Sequence, residues 1–356
     1  MARDNISIVA VGDLVPTHRL WLDGRPVGPG FTKAVKILQG ADIVFGNLEA
    51  PLATRGYPRE KLITFRSDPV LAEDLRSVGF DVISLANNHS MDYGPEALLE
   101  TMEVLRRHGI ACVGAGGTLD EALQPVVIEK KGWRVGFLAW SCLLPVGSAA
   151  GVDRPGHAPM HVHTSYEINP YYDMEEPGNP PRVRTWVEPA ELAAATQMVR
   201  KVRQDVDFLV ASMHWGFGSG TALADYERDV GHALIDAGAD VVVGHHVHTL
   251  HAVESYQGKA ILYSGGGFIA QQPREGQPAF ILSLYDMMSP DTYAAILDIN
   301  QDSYSVRLAP MRTVESGLPV PAVGAEFDRI AALLDGLSAP LGARVSPAGE
   351  MLAVRL

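Results

Sequence analysis

The 356-residue sequence predicts an α/β fold with mixed β-sheets. Over most of the chain, short apolar or β-branched runs alternate with segments of helical spacing. Towards the end, several strand-like runs follow one another without a helix between them, which a single parallel sheet does not accommodate. The strands also share a habit: run after run stops at a turn rich in Gly, Asp, Asn or His. In open α/β sheets, sites form outside the carboxyl ends of strands.

Ile6 to Val11 is a continuous apolar run, fit for a buried strand, and it ends in Gly12-Asp13. Phe31 to Leu38 has helical spacing, and Asp42 to Phe45 makes a second strand ending in Gly46-Asn47-Leu48-Glu49. Pro69 opens a helix whose apolar face is Val70, Leu71, Leu75 and Val78. Asp81 to Leu85 is a strand ending in Ala86-Asn87-Asn88-His89, and Pro95 opens a helix closed by His108-Gly109. A short strand over 111–113 precedes a hairpin of 125–128 with 134–139 around Lys131-Gly132. A helix from Pro189 to Val202 leads to the strand Phe208 to Met213, ending in His214-Trp215-Gly216. The helix Tyr226 to Ala237 leads to Val241–Val243, Gly244 and a cluster of histidines at 245, 246, 248 and 251. Ala260 to Tyr263 is followed by three more strand-like runs, over 280–284, 293–297 and 304–308. A linker at Pro319–Pro321 precedes a terminal amphipathic helix, Ala325 to Leu337.

The segment from Leu143 to Val187 differs from the rest. It holds seven prolines together with His157, His161, His163, Tyr166, Tyr171 and Tyr172. A connection of that length, when ordered, reads as a lid or binding loop. If it folds over the rim of strand ends, its tyrosines and Arg154, Arg182 or Arg184 become substrate contacts.

Composition narrows the function classes. Lys and Arg number 29 against 42 Asp and Glu, a formal charge of −13, which excludes a nucleic-acid backbone as the main partner. An acidic protein that handles an anionic substrate, small molecule or polymer, must supply local positive charge, and bound cations are one source. Two cysteines, Cys112 and Cys142, are too few for a disulfide framework. No segment is apolar for long enough to act as a signal peptide or to span a bilayer, so the expectation is a soluble, cytoplasmic protein without a membrane partner.

Five strand ends carry residues of metal-binding type: Asp13; Asn47 and Glu49; Asn88 and His89; His214; His246 and His248. Singly each has a plainer reading. Gly-Asp is a turn signal, Asn87-Asn88 caps helices, and histidines beyond a strand also line organic pockets. Together they mix carboxylate and amide oxygens with imidazoles, a donor set suited to Mn²⁺, Zn²⁺ or Fe²⁺ and sufficient for two divalent ions. Such a pair clamps the oxygens of a displacement and activates a water.

The ordered set Gly12-Asp13, Asn47-Leu48-Glu49, Ala86-Asn87-Asn88-His89 with Asp92-Tyr93-Gly94, His214-Trp215-Gly216 and Gly244-His245-His246-Val247-His248 resembles the CapA family. That family comprises poly-γ-glutamate (capsule) biosynthesis protein-like chains of the calcineurin-like metallophosphoesterase superfamily, and the resemblance covers roughly 6–268. It implies a four-layer αββα sandwich of two mixed β-sheets flanked by helices, holding a dinuclear site. By position, Asp13 binds the first metal and Glu49 replaces the superfamily's bridging Asp. Asn88, His214 and His246 take the second metal, and His248 returns to the first. His89 protonates the leaving group or steadies the transition state, with Asp92 orienting it. Asn47, His18, His245 and Trp215 complete the substrate side, Asn47 supporting the site from behind. A domain over 1–318, with 143–187 as a Pro-rich insertion, is followed by a linker and helical tail over 319–356.

Three departures from the family pattern stand out. Asp13 is followed by Leu14-Val15, so the histidine of Asp-x-His is missing, and His18 is its only near substitute. Gly266-Gly267-Phe268 stands where Gly-Asn-Phe is usual, and Phe217-Gly218-Ser219-Gly220 where an acidic residue is common. The expected function is a divalent-metal-dependent hydrolase, on a phosphoric monoester or diester. The alternatives are amide-bond chemistry on a poly-γ-glutamate-type polymer and a non-catalytic accessory role in polymer biosynthesis.

Overall fold

A computed structural model of the chain describes residues 3–217 and 220–356. The backbone is mixed α/β, and two large sheets organise it. In the ten-stranded sheet, Ile6–Val15 is central: Ile43–Leu48, Val82–Ser84 and Ala111–Val113 extend it in parallel on one side. On the other side Asp291–Ile299 and Tyr304–Thr313 run antiparallel, followed by the hairpin Met351–Arg355 and Arg344–Ala348 at the edge. Gly267–Ala270 joins the carboxyl end of Ile6–Val15 in parallel. The six-stranded sheet has Trp133–Ser141, Phe208–His214, Val241–His245 and Lys259–Leu262 in parallel, flanked by the antiparallel strands Val126–Lys130 and Val253–Tyr256.

The apolar runs noted in the sequence are continuous because both faces of these strands are covered. Ile8 and Ala10 pack in one cluster with Val210, Val243 and Leu262 of the other sheet. The alternate residues, Val9 and Val11, pack with Phe31, Val35, Leu75 and Leu98 of the helices Pro29–Gln39, Leu71–Val78 and Gly94–Arg107. Leu209, Ala211 and Val242 do the same against Val199 and Leu234 of the helices Pro189–Arg203 and Asp225–Ala237. The period-2 alternation of side chains thus assigns one face of each sheet to its partner sheet and the other to helices.

Three expectations need correction. The run Phe280–Leu284 is not a strand but lies in the helix Ala279–Asp286; a run of consecutive apolar residues has no periodicity to separate the two. Pro319–Pro321 is a strand against Tyr304–Thr313 rather than linker. The tail contains the expected helix, Ala325–Ser338, but it ends in the hairpin that closes the large sheet, with Leu352 opposite Leu308 and Val354 opposite Val306. The 143–187 segment is ordered, with Val162–Glu167 paired to Arg182–Val187 and a short helix, Pro170–Glu175, between them. Several of its charged and titratable side chains are already engaged, mostly by the helices that follow: His161 with Glu191, His163 with Glu188, and Arg184 with Asp225 and with Glu167 of the segment itself. Arg182, Tyr171 and Tyr172 line a separate hollow of their own rather than the rim of strand ends.

Candidate metal centre

Asp13 stands opposite Asn47 in the parallel register of the large sheet and opposite Gly267 on its other side. The neighbouring Gly12 makes that packing achievable: a Cβ there would lie 1.9 Å from Gly266 O, the oxygen to which the Asp13 amide donates at 3.0 Å. Glu49 follows the next strand, its amide donating to Leu14 O at 2.9 Å. In the other sheet His214 is in register with His245. The chain then turns through His246 at φ 99° and His248 at φ 47°, left-handed conformations that cost a residue with a Cβ roughly 1–3 kcal/mol. The His246 amide crosses to the first sheet and donates to Asp13 Oδ2 at 2.9 Å.

These ends converge on Glu49. Its Oε1 lies 3.1 Å from His214 Nε2 and its Oε2 3.1 Å from His248 Nε2. Two groups of side chains bring donor atoms within 4.8 Å of one another, Glu49 with His214 and His246, and Asp13 with Glu49 and His248. Glu49 belongs to both. Asn88 Oδ1 adjoins the first group, 2.7 Å from His214 Nε2. Asn47 braces the pair from behind: its Nδ2 donates to Asp13 Oδ1 at 2.8 Å and lies 3.3 Å from His214 Nδ1, while Asn87 Nδ2 donates to its Oδ1.

Both Glu49 oxygens, His246 Nδ1 and His248 Nδ1 are buried without a well-aligned hydrogen bond. Buried polar atoms without partners are uncommon in folded proteins. A cluster of carboxylate oxygens and imidazole nitrogens with free lone pairs fits a divalent cation of the Mn, Zn or Fe type.

The electrostatics are those of a tightly packed charge cluster. Burial, then the neighbouring Glu49, pushes Asp13 up to about 6. Burial also opposes ionisation of Glu49, but His248 and His214 outweigh it and hold the carboxyl well below its usual range. Burial disfavours the charged His248, yet Glu49 and Asp13 raise it to about 9. Burial and the charge of His214 push His246 well down and His245 to about 3, keeping both imidazoles neutral, whereas His248 must give up its proton to ligate.

His89 stands at the edge of this cluster. Its Nδ1 is held by Asp92 Oδ2 at 2.7 Å, and Asp92 also accepts from the Phe65 amide at 2.7 Å and pairs with Lys61. Lys61 Nζ donates to Asn88 O at 2.7 Å. With Nδ1 occupied, Nε2 of His89 is the nitrogen left for a substrate.

Not every expected residue is brought together. Trp215 cannot touch substrate: it is fully buried in the core against Tyr263, to whose carbonyl its Nε1 donates at 3.0 Å. Asn47 is likewise fully buried and positions Asp13 rather than meeting a ligand. His245 is buried with its Nδ1 3.5 Å from Asp13 Oδ1 and belongs to neither donor group. His18 is also in neither group; its Nδ1 is 3.0 Å from Thr17 Oγ1, and it lines a cavity of about 700 Å³ that His248 also borders. A Cβ on Gly267 would lie 3.5 Å from His248 Nδ1, so a side chain at that position would stand beside the imidazole. Gly218 and Ser219 lie outside the described residues. Sequence reasoning passed over Arg59, Lys61 and Ser148, which line a second cavity of about 550 Å³ reaching Asn88. Their only sequence signal is an Arg-Glu-Lys triplet in a loop, which reads as an ordinary solvated charge run.

Two mixed sheets whose parallel strands meet at a carboxylate–histidine cluster define a candidate metal-binding protein of the metallophosphoesterase-like class. The chain belongs to the bacterial capsule synthesis protein PGA_cap family, whose model matches residues 7–272. It is 28% identical over 66% of its length to the PGA biosynthesis protein CapA of Bacillus subtilis, covering 55% of that protein. It is 26% identical over 81% of its length to the capsule biosynthesis protein CapA of Bacillus anthracis, covering 62% of that chain. A relative in Mycobacterium tuberculosis, described as a probable polyglutamine synthesis accessory protein, is 30% identical over 67% of this chain and 58% of its own. The chain thus spans a little over half the length of these named relatives. Among the described residues no helix is long and apolar enough to cross a membrane.

Proposed function

We propose that this chain is a divalent-metal-dependent hydrolase acting on a phosphoric ester in an anionic substrate. The observation that carries the reading is Glu49, with both oxygens buried, lacking a well-aligned hydrogen bond, and each 3.1 Å from an imidazole nitrogen, of His214 and of His248. On this reading the fold is a four-layer αββα sandwich, supported by the three core clusters between the sheets and under the helices on either side. Asp13, Glu49 and His248 would hold one cation, and Glu49, His214, His246 and Asn88 a second. When bound, such ions supply Lewis acidity and a water of lowered pKa. The chain's own part is to hold and move protons and to seat the substrate. His89, fixed through Nδ1 by Asp92, presents Nε2 to the leaving-group oxygen and donates its proton there. Lys61 pairs with Asp92 and ties the Asn88 loop to the same spot. The domain reads as 1–318 plus a tail that completes its large sheet.

A second reading, an accessory role in capsule or polyglutamate assembly, is favoured by the names of the relatives. Elemental analysis and hydrolysis of bis-p-nitrophenyl phosphate with Mn²⁺, Zn²⁺ or Fe²⁺ separate the two. We expect metal-dependent turnover, lowered about 10²–10⁴-fold in His89→Ala with the metal content unchanged. Stoichiometric metal without turnover under any condition supports the accessory role. Absence of bound metal overturns both the hydrolase and the site.

A further inference from the structure

The cavity lined by Arg59, Glu60, Lys61, Asn88, Val146 and Ser148, among others, opens beside the candidate metal centre but shares no lining residue with the larger cavity at His248. Glu60 is a carboxylate at the same cavity, so the donors that an anion meets there are Arg59, Lys61 and Ser148 set against one acidic side chain. We propose that this smaller cavity is an oxyanion subsite, in which the Arg59 guanidinium and the Ser148 hydroxyl donate to a phosphate or carboxylate group of the substrate. The proposal deepens the hydrolase reading, naming where the anionic part of the substrate sits, but its chemistry does not depend on bound metal.

Three independent features build the subsite. First, Arg59 has no carboxylate partner among the described residues; its Nη2 donates only to Val146 O, at 3.1 Å, on the cavity wall. That leaves most of the planar fork of donors available, in a chain whose net charge otherwise repels anions. Second, the wall is shaped for the guanidinium. Gly147 has φ +76°, and a Cβ on it would lie 2.8 Å from Arg59 Nη2, so any side chain there both strains the backbone and pushes the guanidinium away.

Third, a buried histidine sets the direction of the serine hydroxyl. Ser148 is almost fully buried, and its Oγ lies 3.0 Å from Nε2 of His157, itself fully buried. The other ring nitrogen, Nδ1, is buried without any partner. A proton on Nδ1 would bury an unsatisfied N–H, the rarer and costlier defect, so the proton belongs on Nε2. Nε2–H then donates to Ser148 Oγ, and the hydroxyl hydrogen is free to point into the cavity as a donor. Burial, then the charges of His214 and Lys61, pushes His157 down to about 3, so the ring stays neutral through the physiological range. The strand Gly156–His157 is held in place by Ala158 N donating to Gly114 O and His157 N to Ser148 O, at 2.9 and 3.0 Å. His157 is therefore a positioning residue, acting through Ser148.

The test is calorimetric titration of the chelator-treated full chain with inorganic phosphate and, separately, with glutarate. Wild type should bind at least one of them, phosphate preferred if the substrate is phosphorylated and glutarate if it is carboxylic. Arg59→Ala and Ser148→Ala should each weaken that binding about tenfold, and Arg59→Lys less, because charge survives without the fork. Nitrogen-15 NMR of the imidazoles should show His157 neutral and protonated on Nε2. Unchanged affinity in Arg59→Ala and Arg59→Lys, or no binding of either anion by the metal-free wild type, overturns the subsite. Anion binding that survives in a protein devoid of hydrolysis would leave the subsite standing and remove only the hydrolase reading.

Discussion

Glutamate 49 contributes to both candidate donor groups, whereas His246 contributes to one. The two side chains should therefore fail differently. In Glu49→Gln, one oxygen becomes an amide nitrogen that cannot ligate, and metal uptake at both groups should fall more than tenfold. His246→Ala should spare the group of Asp13, Glu49 and His248, halving the stoichiometry that elemental analysis reads. A second buried carboxyl, Glu227, makes a stability prediction away from the metal centre. Its Oε2 accepts from the Ala224 amide at 2.7 Å, but Oε1 is buried without a partner, and burial, partly offset by that amide, pushes its pKa up from 4.5 to about 7. A carboxyl raised on folding contributes stability that is full below the unfolded value and lost as pH rises through the folded one. Stability should thus decline between about pH 4.5 and 7, by about 3.5 kcal/mol at most for this group at about 1.4 kcal/mol per unit. Urea unfolding of Glu227→Gln at pH 5 and pH 8 checks this: the variant should lose that part of the slope and gain on wild type at pH 8.

At the level of elements, what was legible in the sequence was local. Each strand that carries a residue to the candidate metal centre announced itself by a continuous apolar run and a polar stop, because both of its faces are covered. The hairpin Arg344–Ala348 and Met351–Arg355 did not, since exposed and buried residues are interleaved with Pro347 and the turn Gly349-Glu350 in a way that reads as tail. Its partner gives it meaning: Leu352 is fully buried opposite Leu308. Truncation in Leu352→Ala should cost about 2–5 kcal/mol, seen as a lower urea midpoint, if that hairpin is part of the core rather than an ornament on it. The subsite residues were illegible for a different reason. Arg59 lies far in sequence from Ser148 and His157 and meets their loop through Val146 O, while the last two, nine residues apart, are joined by the backbone bond from His157 N to Ser148 O. No spacing rule records such pairing. Trp215 shows the converse, a motif neighbour of His214 whose side chain belongs to the core because residues alternate along a strand.

Across the whole molecule, Asp13, Glu49 and Asn88 come from the ten-stranded sheet and its loops, and His214, His246 and His248 from the six-stranded one. A cation held by both sets would bind the folded arrangement and not the unfolded chain. At a free concentration 100 times its dissociation constant it should stabilise by about 2.7 kcal/mol. Thermal unfolding should shift upward with added Mn²⁺ or Zn²⁺ in wild type and stay flat in Glu49→Gln; a shift of equal size in both would place the metal elsewhere. Hydrogen exchange should slow on loading at 13–14, 47–49 and 245–248, and remain unchanged at 344–355.

The left-handed turn at His246 sets folding stability against metal uptake. Nothing about φ 99° favours a histidine; glycine would adopt it without strain. The imidazole at 246 is held there at the expense of backbone strain. His246→Gly should therefore relieve that strain and raise the urea midpoint of the metal-free chain while lowering its metal content, whereas His246→Ala should lower the metal content with no such gain, because alanine keeps the Cβ.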